Sequence, residues 1–367
     1  MYSWAVLQTM EPPADAGTKI LAACGAGIDR SALPLMELLW LSAGKPEDED
    51  VREAQRRALD FYGRDELRHD RTLVFREPQS PDVQVTRSRW LRRGRLERYR
   101  WLSGYRCLDT DYQNQFDSWE RNRWACAEAF RHKGTGHPTL ICLHSWMTGY
   151  YRLQRHVYLA RSLYRSGLDV VLPMLPFHGP RNPRGSLFGG QLFPGTDLQR
   201  TNEGFLQSIW DLRCLIQWLQ ESGSGPVGVM GMSLGGYVAA LLPAVEPNLA
   251  FSIPTIPLVS LSDTLWSHGE GGAQRKNAEA QGITLETLLQ VHAIHAPLNY
   301  NPLLSKERLM IVGARGDQVC PPSEIERLWR HWGQPRLHWF SGGHIAHFGR
   351  RRLFSEIRSF IDGVVRA

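Results

Sequence analysis

The chain contains 367 residues, of which 42% are hydrophobic and 22% charged, values typical of an ordinary soluble globular protein. This length allows one large domain with additions or two modest domains. The 43 Lys+Arg residues exceed the 37 Asp+Glu residues and give a formal charge of +6, a mild basic bias. No run of about 18 apolar residues occurs, so no membrane-spanning helix is expected.

Six cysteines are scattered along the chain and form no C-x-x-C pair, which predicts reduced, mostly buried thiols rather than a disulfide framework. The stretch L-A-A-C at 21–24 resembles a lipoprotein cleavage box. A signal peptide needs a long apolar stretch before such a box, however, and Glu11, Asp15 and Lys19 interrupt that region. We therefore predict a cytoplasmic protein.

Residues 1–80 predict a helical extension to which we assign no chemistry. Two helical patterns occur in it, at 33–41 and at 48–62, and Gly63 ends the second. The G-A-G at 25–27 lacks the third glycine and the preceding strand of a dinucleotide-binding loop, so it indicates no such site.

Residues 83–106 predict two strands around a turn at Gly94. The stretch is rich in arginine with Trp90, Tyr99 and Trp101 between the charges, a composition also found on nucleic-acid-binding and anionic-membrane-binding surfaces. We favour an edge hairpin with a charged outer face, because no nucleic-acid-binding module accompanies the charge. No nucleic-acid partner is expected, and peripheral contact with a membrane stays open.

The aromatic spacing at 116–131 predicts a helix, and from about residue 138 apolar strand patterns alternate with helical ones. This alternation predicts an α/β fold, with a mostly parallel central sheet flanked by helices on both faces. The main domain is predicted at 81–367, after the N-terminal helical extension at 1–80. Residues 258–305 interrupt the alternation and are predicted to form a small cap over a pocket.

In an α/β sheet, ligands collect at the carboxyl ends of the strands. The strand V-G-V-M is followed by G-M-S-L-G-G at 231–236. A strand-to-helix turn this sharp strains Ser233 and lifts its side chain above the sheet, and it needs small residues because the two backbones nearly touch. The alternative is a serine helix cap with packing glycines, which the position between strand and helix disfavours.

Two further polar residues follow later strands. Asp317 comes after L-M-I-V-G-A, although Gly-Asp is also a turn pair, and His344 lies in the glycine loop after R-L-H-W-F. His347 competes with His344, which we prefer because it directly follows Gly-Gly. Asp263 is the alternative acid. The order Ser, Asp, His, each at a strand end, is the order expected for a catalytic triad on such a sheet.

Taken together, the motifs L-H-S-W-M-T-G, V-M-G-M-S-L-G-G, G-A-R-G-D-Q-V-C-P-P and S-G-G-H resemble those of the α/β-hydrolase superfamily, over about residues 83–367. The resemblance implies that Ser233 is the nucleophile, His344 the general base and Asp317 the group that orients the base. It also implies an oxyanion hole formed by the backbone N–H groups of Trp146 and Leu234.

The sequence departs from the superfamily pattern at two places. His144-Ser145 replaces the usual His-Gly of the oxyanion loop, and L-P-F-H-G-P-R at 175–181 stands where many relatives have an Asp-Pro-Gly turn. His178 and Arg181, in this second loop, are candidates for substrate contact or for loop stabilisation. The candidate substrate-binding residues are His144, Met147, Phe177, His178 and Trp266, with Trp146 and Leu234 as further apolar neighbours.

The predicted function is hydrolysis of a carboxylic ester with a hydrophobic acyl group, through an acyl-enzyme on Ser233. A peptidase, thioesterase or acyltransferase with the same triad is the alternative, as is a non-catalytic binding protein with this fold. No cofactor is expected. The pairs His292-x-x-His295 and His344-x-x-His347 lack a Cys or carboxylate partner at ligand spacing, so we interpret them as structural rather than metal-binding.

Overall fold

A nine-stranded sheet runs through the protein, in a computed structural model that describes residues 15–41, 49–268, 272–280 and 282–366. The strands are β1 (Gln84–Leu91), β2 (Gly94–Leu102), β3 (Trp124–His132), β4 (Thr139–Leu143), β5 (Asp169–Pro173), β6 (Val227–Met232), β7 (Ser252–Thr255), β8 (Met310–Ala314) and β9 (Arg336–Phe340). Their spatial order is β1-β2-β3-β5-β4-β6-β7-β8-β9.

The sheet is antiparallel at one end and parallel over the rest. Neighbouring strands from β1 through β3 to β5 pair antiparallel, and all pairs from β5 to β9 are parallel. Every residue of β4, β5, β6, β7 and β8 is buried, as expected for parallel strands covered on both faces. The carboxyl ends of β4, β6, β8 and β9 therefore meet at one edge, where the sequence predicts the site.

Fourteen α-helices are present in the described part of the chain. They are α1 (Ala16–Leu41), α2 (Glu49–Tyr62), α3 (Asp65–His69), α4 (Arg71–Val74), α5 (Gln113–Asp117), α6 (Tyr151–Val157), α7 (Ala160–Arg165), α8 (Leu198–Glu221), α9 (Leu234–Leu241), α10 (Leu261–His268), α11 (Ala273–Ala280), α12 (Leu285–His292), α13 (Pro322–His331) and α14 (Arg350–Arg366). None of the helices in these described segments is long and apolar enough to cross a membrane.

Two hydrophobic cores lie on opposite faces of the sheet. In β4, Ile141 and Leu143 belong to the core that includes α8, α9 and α13, whereas Leu140 and Cys142 belong to the core that includes α6, α7 and α14. This alternation along one strand shows that helices cover both faces. The predicted α/β class with a mostly parallel sheet is confirmed.

The predicted hairpin is confirmed, with Gly94 as the first residue of β2. The predicted helix at 116–131 is wrong, because α5 ends at Asp117 and residues 124–132 form β3. Small and larger side chains alternate along this segment, with alanine at 125, 127 and 129. The side-chain pattern therefore repeats every two residues, as in a strand. Aromatic spacing suggested a helix, and sheet pairing on both sides of β3 overrides that local preference.

The helical patterns are correct in type but not in extent. The pattern at 33–41 is only the end of α1, which begins 17 positions earlier at Ala16 and includes Pro34. The helical pattern at 151–167 predicts a single helix, but Leu159 adopts a left-handed conformation (φ +49°) and separates α6 from α7. Asp48, the first residue of the helical pattern at 48–62, lies outside the described residues.

The helices of the N-terminal extension pack onto the main domain through polar as well as apolar contacts. The carboxylate of Glu203 on α8 is fully buried and accepts hydrogen bonds from the hydroxyls of Tyr62 on α2 (2.6 Å) and Tyr105 (2.5 Å). Burial raises the pKa of Glu203, and these donors act in the opposite direction. Between β7 and β8, residues 258–305 contribute α10, α11 and α12, and their role as a cap stays a prediction.

Candidate active site

The turn between β6 and α9 places Ser233 at the edge of the sheet. Ser233 has φ +54° and ψ −115°, a conformation that non-glycine residues rarely adopt. A Cβ added to Gly231 would overlap the carbonyl of Gly235, and one added to Gly236 would lie 2.7 Å from the Cα of Pro257. The glycines thus allow strand and helix to approach, and Ser233 keeps part of its surface exposed.

Ser233, His344 and Asp317 form one hydrogen-bonded chain. Nε2 of His344 lies 2.9 Å from Oγ of Ser233, and its Nδ1 lies 2.8 Å from Oδ2 of Asp317. The three side chains come from loops after β6, β8 and β9. Residues separated by 111 positions along the chain are thus brought within hydrogen-bond distance at the carboxyl edge of the sheet.

The second carboxylate oxygen of Asp317 is held by its own loop. Oδ1 accepts hydrogen bonds from the backbone N–H groups of Val319 (2.9 Å) and Cys320 (2.7 Å), and the side chain is completely buried. Oδ2 is thereby directed at His344. Burial alone would lower the pKa of His344, but the Asp317 carboxylate, with a smaller contribution from Cys320, raises that pKa well above its ordinary value.

The loop after β4 lies next to this arrangement. Oγ of Ser145 donates to the carbonyl of Met232 (3.3 Å), which precedes Ser233, and Met147 has a positive φ of +61°. The indole of Trp146 donates to the carbonyl of Gly190 (2.8 Å). Leu234 is the first residue of α9, and N–H groups in the first turn of a helix have no partner within the helix. The oxyanion hole formed by the N–H groups of Trp146 and Leu234 stays a prediction.

The two alternative residues from the sequence have other partners. Oδ2 of Asp263 accepts a hydrogen bond from Arg327 (2.7 Å), and Nε2 of His347 lies 2.9 Å from the carbonyl of His344. The carboxylate hydrogen-bonded to His344 is thus that of Asp317, whereas Asp263 is paired with Arg327 and His347 contacts the backbone of the histidine loop.

Three predicted substrate contacts are not supported, because the side chains of His144, Phe177 and His178 are buried beneath the site. Nδ1 of His144 lies 2.9 Å from the carbonyl of Ser145, and its Nε2 accepts the N–H of Leu175 (3.1 Å). Burial lowers the pKa of His144 to about 4. These side chains stabilise the loops after β4 and β5, and the strand-end position alone did not reveal their burial.

The remaining members of the predicted set are partly exposed or have structural partners. Met147 and Trp266 are both partly exposed, so they stay candidates for substrate contact. Arg181 is buried and donates to Asp211 (2.7 Å) and to the carbonyls of Met174 (3.1 Å) and Asn122 (2.8 Å), which identifies it as a loop-stabilising residue.

His292 and His295 are buried and hydrogen-bonded to neutral groups. His292 pairs with the hydroxyl of Ser262 (2.9 Å), and His295 pairs with the hydroxyl of Tyr237 (2.7 Å) and the amide oxygen of Asn202 (2.9 Å). Across the residues that the structure describes, no three His, Cys, Asp or Glu side chains are grouped as metal ligands would be. The structural interpretation of these histidines fits their contacts.

Sequence reasoning missed the contribution of α1. Asp29, on this helix, is buried and accepts backbone hydrogen bonds from residues of both the Asp317 loop and the His344 loop. Gly25, the first glycine of the G-A-G stretch at 25–27, packs against the backbone of Gly342 and Gly343. Small residues on one side of α1 indicate that another segment packs closely against it. That segment, the histidine loop, lies about 300 residues away, and no local sequence pattern identifies it.

Comparison with known proteins agrees with this architecture. Residues 128–281 match the model of the family described as alpha/beta hydrolase domain containing 18. The chain is 29% identical over 337 residues to the uncharacterized protein Rv2627c of Mycobacterium tuberculosis, covering 89% of this chain and 79% of that protein.

Two solved structures share the fold at low identity. Acetyl xylan esterase 1 from Thermoanaerobacterium sp. JW/SL YS485 superposes with a TM-score of 0.55 at 18% identity, covering 85% of this chain and 94% of that one. An acetyl xylan esterase from Paenibacillus sp. R4 gives 0.55 at 15% identity, covering 87% and 96%. These two structures thus share the fold of this chain, and the match to the family model covers residues 128–281.

Proposed function

We propose that this protein is a serine hydrolase that cleaves carboxylic esters through an acyl-enzyme on Ser233. The observation that carries the proposal is the hydrogen-bonded chain from Ser233 through His344 to the buried Asp317. A serine hydroxyl is a weak nucleophile unless a neighbouring base takes its proton, and here a base lies 2.9 Å away.

In the first step, Oγ of Ser233 attacks the ester carbonyl while Nε2 of His344 accepts the hydroxyl proton. Negative charge develops on the former carbonyl oxygen, and the N–H groups of Trp146 and Leu234 are the proposed donors to it. His344 then returns the proton to the leaving alcohol, which leaves Ser233 acylated. Water, deprotonated by His344, then attacks the acyl carbonyl. The acyl–Oγ bond breaks, the carboxylic acid leaves, and His344 returns the proton to Oγ of Ser233.

The choice of an ester substrate is supported by the comparisons, and the choice of a hydrophobic acyl group by two partly exposed apolar side chains. Met147 and Trp266 are partly exposed apolar side chains, which suits a hydrophobic acyl group. The structural neighbours named above are esterases, and the ester bond is the part of their chemistry that we carry over to this chain. The acyl chain length and the alcohol are left to experiment.

Labelling with a fluorophosphonate tests the nucleophile directly. We expect one adduct per chain, located on Ser233 by peptide mass spectrometry, because His344 activates this hydroxyl and no other serine contacts it in the described structure. The heat-denatured protein is the control and should not react. A native protein that fails to label would contradict the proposal and favour a non-catalytic binding protein. Nitrophenyl esters of graded chain length, beside a peptide anilide and a thioester, then separate the hydrolase classes.

A further inference from the structure

The N-terminal helix α1 joins the two loops that carry Asp317 and His344. Oδ2 of Asp29 accepts hydrogen bonds from the N–H groups of Gln318 (3.1 Å) and His344 (2.7 Å), and its Oδ1 accepts from Ile345 (3.0 Å). Asp29 has no exposed surface. The buried carboxylate of Asp29 thus binds the backbone of Gln318, which follows Asp317, and the backbone of His344.

The packing around Asp29 leaves no room for the loops to shift toward α1. A Cβ added to Gly25 would overlap the backbone of Gly342 and Gly343, and one added to Gly316 would overlap the carbonyl of Ala22. Nε of Arg30 also donates to the side-chain oxygen of Gln318 (3.2 Å). The helix therefore fixes both loops by close backbone contact as well as by the Asp29 carboxylate.

We propose that Asp29 is a positioning residue for the hydrolytic reaction, an inference that rests on the function proposed above. By holding the loops together, it sets the distance between Asp317 and His344 and the direction in which Nε2 points at Ser233. Without the carboxylate, three backbone N–H groups would lose their buried acceptor, and the loops would move to find other partners. An error of about 1 Å in such a geometry can cost about 10²-fold in rate.

The substitution Asp29→Asn tests this role, with Glu37→Gln as the matched control. An asparagine has one acceptor oxygen and an NH₂ group that would face a backbone N–H. Glu37 lies on the same helix and makes none of these contacts, so its variant should behave as wild type. We expect Asp29→Asn to lower kcat about 10- to 100-fold with an unchanged KM. The acidic limb of its pH profile should move to lower pH, because a displaced Asp317 raises the pKa of His344 less.

A glycine pair gives a second test in case Asp29→Asn folds poorly. Gly25→Ala places a methyl group against the histidine loop, whereas Gly27→Ala places one in open space on the same helix. We expect lower kcat only for Gly25→Ala. If wild type labels at Ser233 and hydrolyses esters but both site variants keep full kcat and an unchanged pH profile, the inference is wrong. If wild type neither labels nor hydrolyses, the proposed function itself has failed.

A separate observation concerns an arginine-lined cleft on the antiparallel side of the sheet. It has a volume of about 730 Å³, lies between the β1–β2 hairpin and helices α6 and α7, and shares no lining residue with the site around Ser233. The cationic residues that line it are Arg87, Arg89, Arg98, Arg152, Arg155, Arg161 and Arg165. Glu128 is the one carboxylate in the lining.

Among the residues that the structure describes, carboxylates do not balance the positive charge of this cleft. Glu128 is buried and already bound to Arg155 and to Arg98 (3.3 Å). The other five arginines of the lining are exposed, and the described residues place no carboxylate within ion-pair distance of them. Guanidinium groups at this density repel one another unless an anion binds between them. Their planar N–H pairs match the oxygens of a phosphate group.

From this geometry we infer a binding site for a ligand with two or more phosphate groups, either free or carried on a lipid headgroup. The inference does not depend on the proposed function. Arg161 and Arg165 lie one helical turn apart on α7, and Arg87 and Arg89 face the same cleft from β1. One ligand can therefore contact guanidinium groups on both walls of the cleft at the same time. A single exposed arginine could not make these several contacts.

Calorimetric titration with tripolyphosphate tests for a free ligand. Co-sedimentation with vesicles that contain cardiolipin, whose headgroup carries two phosphates, tests for a lipid headgroup, with phosphatidylcholine vesicles as the comparison. We expect saturable, salt-sensitive binding that Arg161→Gln/Arg165→Gln weakens about 10-fold. The control Arg57→Gln/Arg106→Gln removes equal charge from exposed positions outside the cleft and should bind as wild type. If both double variants lose the same amount of affinity, binding depends only on net charge and the inference is wrong. No binding of either probe, or binding of an oligonucleotide alone, would do the same.

Discussion

Replacing Ser233 with alanine should reduce kcat for ester hydrolysis on the order of 10⁴-fold or more and abolish fluorophosphonate labelling. The reason is chemical, because the variant lacks the only hydroxyl that the described structure places against His344. Rates should be measured with the nitrophenyl ester that wild type cleaves best, in single-turnover and steady-state experiments.

The fold should tolerate this change, because alanine keeps the backbone and the Cβ of the serine. The melting temperature should therefore stay close to that of wild type. Ser222→Ala is the matched control, since Ser222 is exposed at the end of α8 and should retain full activity. Full hydrolysis by Ser233→Ala would rule out the serine as nucleophile.

Replacing Asp317 with asparagine should lower kcat about 10⁴-fold through the tautomer of the histidine. In wild type, Oδ1 accepts two backbone N–H groups while Oδ2 faces Nδ1 of His344. An asparagine has one oxygen, and the two N–H donors hold it in place of Oδ1. Its NH₂ group must then face Nδ1, which favours the tautomer with the proton on Nε2, so Nε2 can no longer accept the proton of Ser233.

The pH profile of the same variant gives an independent measurement. Hydrolysis needs neutral His344, so kcat/KM should fall as the pH drops through the pKa of this histidine. Burial acts to lower that pKa, and Asp317 raises it well above the ordinary value in wild type. In Asp317→Asn the raising charge is gone, so the acidic limb should move to lower pH. Asp263→Asn is the control, and a loss of activity there instead would make Asp263 the orienting acid.

Sequence reasoning identified the parts of the site that local chemistry dictates. The glycines around Ser233 are required by the approach of strand and helix, so the turn is visible in a short stretch of sequence. Asp317 and His344 were found because each follows an apolar strand run. Their meeting at 2.8 Å depends on the parallel order of β6, β8 and β9, which the alternating pattern also indicated.

The features that the sequence did not predict have one physical cause in common. Each depends on contacts between residues that are far apart along the chain. Residues 124–132 became a strand because β2 and β5 pair with it on either side. His144 and His178 follow strands as substrate-binding residues do, and only the packing of their loops against each other shows that they are enclosed. Nothing near Asp29 in the sequence indicates that its partners are Gln318, His344 and Ile345.

The contact between α1 and the two loops also bears on how the protein reaches its active state. Asp29 and Ile345 lie 316 positions apart, so this contact joins two segments that are far apart along the chain. Closing so long a loop is slow and comes after local structure has formed. We therefore expect the docking of α1 to be among the last events of folding, so that catalytic competence would be acquired only after the sheet and its helices are in place.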